Sequence, residues 1–360
     1  MNLEVLRSYL ARTRVTEDPI TPLTEGDARI EVSGFALTSN NISYAVFGDA
    51  LKYWNFFPAE TDADGAWGRI PVWGFGVVTE SLAVGVEVGE RIYGYFPMGS
   101  ELVITPGSVN TESFADVSPH RAEMASAYSR YTRTSADIIY RADRESEHML
   151  LYPLFFTSFV VDDYLEDQGD FGATTTIVSS ASSKTAIGIA FLSKARGHRI
   201  VGLTSPGNRR FVESLNIYDS VVPYDEISSM PKDPSVFVDI AGDPDVVRSV
   251  HTHLGESLAF SVAVGGTHWN HAAQASTEPL PGPKPKFFFA PDQIAKRSAD
   301  WGRSGLGERA LAAWDPYVAW CAGWLEFREV TGADDVRDTY LALLDGRTDP
   351  RVGYICSLSK

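Results

Sequence analysis

The chain has 360 residues, 44% of them hydrophobic, 22% charged and 12% aromatic, and 47 acidic against 31 basic side chains leave a formal net charge of -16. The length predicts two domains, and the composition is that of a globular protein with ample core material rather than a disordered one. So acidic a chain, with no cluster of Lys or Arg to offset it, repels phosphate backbones and anionic lipid, which argues against nucleic-acid and membrane partners. Its two cysteines, Cys321 and Cys356, are too few for a disulfide framework or a Cys-rich zinc site. The opening MNLEVLRSYLARTRV lacks both an unbroken apolar run and a small-residue cleavage site. No segment approaches the ~20 apolar residues of a spanning helix, so the cytoplasm is the expected address.

The first third reads as β. Residues 28–38 (ARIEVSGFALT) alternate roughly between apolar and polar, and 70–79, 90–95 and 101–105 are short β-rich pieces separated by Gly, Pro and Ser. Such spacing predicts a small barrel or sandwich. Residues 109–147 turn polar and read as helical, and 153–165 (PLFFTSFVVDDYL) as an apolar helix. From there strands alternate with helices: strands at 174–179, 199–204, 220–223, 235–240 and 258–264, and helices at 185–196 (closed by Gly197), 209–215 and 246–254. That alternation predicts βαβ units and a parallel sheet with helices on both faces. Residues 277–291, rich in proline, read as an irregular loop, and 299–360 as mixed α/β.

The turn after the first of these strands carries the chemistry, because open parallel sheets bind ligands beyond the carboxyl ends of their strands. It reads Ser179-Ser180-Ala181-Ser182-Ser183-Lys184-Thr185-Ala186: small residues that admit a phosphate, ahead of a helix with free N–H groups. Three readings stand. One is a serine-rich helix cap with no ligand. A second is a nucleoside-triphosphate loop ending in Ser183-Lys184-Thr185, with Asp239 as the magnesium-linked acid; Val178 and Ser183 then stand where that loop needs glycine. The third is a dinucleotide turn whose three glycines become Ala181, Ser183 and Ala186. The second strand supports the third reading, for it runs into Thr204-Ser205-Pro206-Gly207-Asn208-Arg209-Arg210, hydroxyls and arginines with no acid. An acid there would bind the ribose 2′-hydroxyl of NAD; this set suits a 2′-phosphate, so NADP(H) is the expected cofactor.

This order of parts resembles the medium-chain dehydrogenase/reductase superfamily over most of the chain. The segment IPVWGFGVVTESLAVGVEVGERIYG (70–94) is similar to that family's barrel segment, with Glu90 where aspartate is usual, and FALTSN (35–40) resembles the approach to its substrate pocket. Asp239-Ile240-Ala241-Gly242 and Gly265-Gly266 look like its later cofactor loops, while PLFFTSF, SSASSKTA and GLTSPGN look like an uncharacterised bacterial branch. The resemblance implies a Rossmann-type doubly wound sheet over 151–299 and a GroES-like β-rich partial barrel over 1–150 and 300–360. It also implies a homodimer and a small-molecule substrate. Zinc-dependent members need a Cys where this chain reads Ser39-Asn40-Asn41, which points to the zinc-free quinone and enoyl reductases.

For such a reductase the cofactor contacts fall on Ser180, Ala181, Ser182, Ser183, Lys184, Thr185, Thr204, Ser205, Asn208, Arg209, Arg210, Gly242, Gly265 and Gly266. Without a metal, a phenol or an amide must polarise the substrate. Asn40 matches the asparagine of the zinc-free relatives, and Tyr44 and Tyr53 follow where such enzymes present a tyrosine. Trp54, Phe56 and Phe57 read as core or pocket wall. His268 and His271, in an H-x-x-H spacing too sparse for a metal site, read as shaping a cofactor loop. Absence of a G-x-S-x-G elbow excludes the common hydrolase reading. The expected function is NADP(H)-dependent, zinc-independent hydride transfer to an activated C=C or carbonyl. A non-catalytic NADP-binding regulator and a P-loop-like triphosphatase are the alternatives.

Overall fold

Ala28–Leu37 forms a strand whose side chains are buried except for Glu31 and Ser33, so both of its faces are covered for most of its length. In the computed structural model, which describes residues 1–264 and 279–358, this strand lies inside a nine-stranded sheet. The order is Glu326–Thr331, Val352–Ser357, Ala28–Leu37, Pro71–Ser81, Arg91–Pro97, Arg130–Arg133, Ser113–Asp116 and Pro106–Gly107, with Glu101–Ile104 also paired to Ala28–Leu37. Every pairing is antiparallel except that of Glu326–Thr331 with Val352–Ser357. Asn2–Leu6, Tyr9–Thr16, Thr61–Asp62 and Gly65–Gly68 make a separate four-stranded antiparallel sheet. Together these elements form one unit, Met1–Leu150 with Leu325–Lys360, around a core that includes Ile30, Val32, Phe35, Val72, Ile92 and Phe96.

The second unit is Leu151–Trp324. Its short, continuously apolar strands Thr175–Val178 and Ser235–Asp239 are buried along their whole length, as central parallel strands must be. The sheet has six strands, all parallel, in the order Ser220–Pro223, Arg199–Thr204, Thr175–Val178, Ser235–Asp239, Leu258–Ala263, Lys286–Phe287. Numbered along the chain that is 3-2-1-4-5-6, the doubly wound dinucleotide order. The α-helices Lys184–Ala195, Arg209–Ser214 and Pro244–Leu254 connect these strands.

Three expectations need correction. No α-helix covers 109–144. That stretch holds the strands Ser113–Asp116 and Arg130–Arg133 and short 3₁₀ turns, and some of its polar residues are buried in pairs. Arg121, for example, is buried with its Nε 2.9 Å from Asp116. The helix expected from Pro153 runs Glu145–Asp167, with the proline inside it. Residues 300–324 fall in the second unit, not the β-rich one, because the helix Ala290–Cys321 continues through them.

Candidate functional site

The strand order of the parallel sheet reverses between Thr175–Val178 and Ser235–Asp239, so the crevice beyond their carboxyl ends is the expected ligand position. Ser179 and Asp239 meet there. The Ser179 hydroxyl donates to Asp239 Oδ1 at 2.6 Å and accepts the N–H groups of Ile240 (2.8 Å) and Ala241 (3.0 Å). Gly242, with φ of +67°, gives its N–H to the same carboxylate oxygen at 3.2 Å. Burial pushes the Asp239 carboxyl above its ordinary value, against the pull of these donors.

Ser180, not Ala181, takes the left-handed backbone that a glycine would favour, with φ of +52°. Ser183 is ordinary extended backbone (φ -77°, ψ 145°) and caps the helix Lys184–Ala195 through the Ala186 N–H at 3.2 Å. A serine cap at that position also explains why no glycine is needed there. Two tyrosines outside the motif hold the turn. The Ser180 N–H donates to Tyr224 Oη at 3.0 Å, and Tyr218 Oη donates to the Ala181 carbonyl at 2.8 Å. They flank the strand Ser220–Pro223, and only the strand order reveals that they reach this turn. Gly202 makes room for Ala181 and Tyr218: a Cβ there would lie 2.9 Å from Ala181 Cβ and 2.7 Å from the Tyr218 ring. Burial pushes the Tyr224 phenol up to about 12.

The two predicted cofactor segments are joined, since Asn208 Nδ2 donates to Ser182 Oγ at 3.1 Å. Lys184 and Thr185 are half-buried at the first helical turn, where the backbone N–H groups have no intrahelical partner. Thr204 is buried, and its hydroxyl finds no hydrogen-bond partner. Ser205 beside it is half-buried and Arg210 is exposed. Arg209 pairs with Glu213 at 2.8 Å and Glu226 at 3.6 Å, where the sequence pattern gave it an anion. Gly265, Gly266, His268 and His271 lie outside the described residues.

In the β-rich unit, the helix Ser39–Val46 starts at a Thr38 cap. Asn41 closes that cap, accepting the Thr38 N–H at 2.8 Å and donating to the Pro71 carbonyl at 2.9 Å, which leaves the half-buried Asn40 one residue earlier for other work. Tyr44, one turn on, is 7% exposed, and its ring centroid lies 4.8 Å from that of half-buried Tyr53. The structure thus brings Asn40, Tyr44 and Tyr53 together. Tyr95 and Tyr128 complete the cluster: Tyr53–Tyr128 centroids are 6.0 Å apart and Tyr95–Tyr128 5.0 Å. Burial pushes the phenols of Tyr44, Tyr53, Tyr95 and Tyr128 well up, so all are protonated at neutral pH. Trp54 and Phe57 are buried in the core, and Phe56 packs edge-on against Tyr95 at 5.3 Å. Among the described residues, no three His, Cys, Asp or Glu side chains gather as a metal site. No helix among them is long and apolar enough to cross a membrane.

The parallel 3-2-1-4-5-6 sheet and the β-rich unit give a fold that comparison finds in solved structures. CurA from Vibrio vulnificus, solved in complex with NADPH, aligns over 97% of this chain and 94% of its own at 13% identity with a TM-score of 0.63. YhdH of E. coli K-12 with bound NADPH aligns over 100% of both chains at 14% identity and 0.55. The quinone oxidoreductase from Coxiella burnetii aligns over 99% of this chain and 98% of its own, at 11% identity and 0.51. No curated protein sequence matches the chain. Residues 35–349 match the family described as "Protein of unknown function (DUF2855)", and the chain belongs to that family.

Proposed function

We propose that the chain is an NADP(H)-dependent, zinc-independent oxidoreductase acting on an activated C=C or carbonyl of a small molecule. The observation that carries the cofactor is the end of the second strand. Thr204 brings a buried hydroxyl without a partner, Ser205 and Asn208 follow, and two arginines stand where an NAD site would need an acid. Arg209 and Arg210 would hold the 2′-phosphate, with Arg209 leaving Glu213 and Glu226. Ser182, Ser183, Lys184 and Thr185 would hold the pyrophosphate at the helix start. The NADPH in the solved CurA and YhdH structures supports this reading. When bound, the cofactor supplies hydride.

The β-rich unit supplies what hydride transfer leaves to the protein. Asn40 orients the acceptor oxygen, and Tyr44 and Tyr53 are protonated phenols able to deliver a proton to it. Their aromatic neighbours exclude water, which strengthens every hydrogen bond made there. The same reading places the protein in the cytoplasm as a homodimer.

Calorimetric titration with NADPH, NADH and magnesium–ATP tests the cofactor. NADPH binding well above NADH is expected. Binding of ATP alone would overturn the reading in favour of a triphosphatase. A second reading, an NADP-binding regulator without turnover, draws on one observation: Ser179 and Tyr224 already occupy four of the hydrogen-bonding positions around the turn. Tight NADPH binding without oxidation of the cofactor in the presence of enones, quinones or aldehydes would select it.

A further inference from the structure

Trp73 lies on the strand Pro71–Ser81 directly opposite Tyr95 on Arg91–Pro97, so the two rings share a sheet face. Its indole is wedged in place. It stacks on Tyr93 at 5.6 Å and 20°, and touches the rings of Tyr95 at 5.0 Å and Tyr128 at 6.1 Å. From this fixed ring, Nε1 points at the Tyr44 oxygen, 3.3 Å away. An indole nitrogen can only donate. Tyr44 is therefore the acceptor in this pair, and its own proton must be directed elsewhere. The oxygen that the indole reaches belongs to a buried side chain, beside Tyr53 and Tyr128, which are only half-buried.

We propose that Trp73 is a positioning residue for proton delivery by Tyr44: its N–H holds the phenol oxygen as an acceptor, frees the phenol proton for the substrate, and stabilises the phenolate left behind. This rests on the reading of Asn40, Tyr44 and Tyr53 as the reaction site. A reduced dinucleotide, when bound, would supply hydride to the electrophilic carbon, and the displaced π pair would end on the acceptor oxygen. The Tyr44 O–H bond breaks, its proton forms the new O–H bond on the acceptor, and the phenolate then takes a proton from water. Trp73 neither gives nor takes a proton. It acts on the difference between phenol and phenolate, which is where hydrogen-bond donors contribute most to catalysis.

The test compares the wild-type protein with Trp73→Phe, Tyr44→Phe and the double variant, using NADPH with 1,4-naphthoquinone and trans-2-hexenal as probes. Trp73→Phe keeps an aromatic ring in the stack and removes the donor. Expected are a fall in kcat of about tenfold, the effect of one hydrogen bond, a KM within about twofold, and a larger solvent deuterium isotope effect. The double variant should be no slower than Tyr44→Phe. A measurement independent of turnover uses indole-¹⁵N-labelled protein. The resonance that Trp73→Phe deletes should move upfield in Tyr44→Phe. Full activity and an unchanged isotope effect in Trp73→Phe would overturn the role of Trp73 while leaving the site reading intact. An indole resonance indifferent to Tyr44→Phe would overturn it as well. A wild-type protein that binds NADPH but reduces neither probe would overturn the site reading and this role together.

Discussion

Ser179 Oγ and Asp239 Oδ1, 60 residues apart in sequence, lie 2.6 Å from each other and tie the first strand of the parallel sheet to the fourth. The link sits at the point where the strand order reverses. It also consumes the Ile240 and Ala241 N–H groups. The dinucleotide site proposed here therefore relies on the helix start and on side chains rather than on a cradle of bare backbone.

Asp239→Asn is expected to change the pH dependence of stability. Burial raises the folded-state pKa of Asp239 above that of the unfolded chain. Its contribution is then fully present below the ordinary carboxylate range and is lost as pH rises through the elevated value. Asparagine keeps the acceptor for Ser179 and Gly242 without the charge. Urea midpoints at about pH 4 and about pH 8 should differ less for the variant than for the wild type. An equal drop in both proteins would show that Asp239 is not the titrating group.

Ser180→Gly should stabilise the second unit by about 0.5–1 kcal/mol, because a left-handed serine is strained and glycine is not. Thermal denaturation reads this directly. If the Tyr224 contact defines the turn, Tyr224→Phe should remove the acceptor and offset part of that gain.

Arg209→Ala combined with Arg210→Ala should weaken NADPH about tenfold or more and leave NADH unchanged, as expected for losing charge-assisted contacts to a 2′-phosphate. Calorimetry on the double variant checks it. Equal affinity of wild type and variant for NADPH would move the phosphate away from this turn. Glu226→Gln, which relieves Arg209 of one partner, should shift NADPH affinity the other way.

Arg121 and Asp116 form a buried pair in the β-rich unit, each side chain 1% exposed, with the guanidinium also lying over the Phe57 ring at 4.7 Å. Removing either partner strands a buried charge, so Arg121→Ala and Asp116→Ala should each cost about 3–5 kcal/mol. The double variant should cost less than the sum. Urea denaturation of the three proteins measures the coupling.

The parallel sheet was legible because its strands are short β-branched runs bounded by turn residues, and the helix Lys184–Ala195 because Gly197, with φ of +89°, stops the chain just past its end. The strand Asn2–Leu6 was not, since Glu4 interrupts its apolar pattern. Glu4 is buried all the same, held by Arg14 at 2.8 Å and Arg69 at 2.9 Å. Within 109–144 the buried pair of Arg121 with Asp116 likewise looks like solvated surface in sequence. Asn40, Tyr44 and Tyr53 could be nominated from local pattern and resemblance. The parts that hold Tyr44, above all Trp73, depend on which strands pair and in what register, and no short-range spacing encodes that. Tyr218 and Tyr224 reach the Ser180 turn for a similar reason, through a third strand seated two places from the first.

The strand Val352–Ser357 pairs with Ala28–Leu37 on one side and Glu326–Thr331 on the other. During synthesis, about three hundred residues leave the ribosome between the first of these strands and the other two, and N-terminal segments are the first to fold as they emerge. The Leu151–Trp324 unit is complete before either late strand exists, whereas the nascent β-rich sheet carries an open edge along Phe35–Leu37 throughout that interval. An edge left unpaired for so long is a template for other chains. Truncation ahead of Glu326 should therefore yield aggregates rather than a smaller soluble protein.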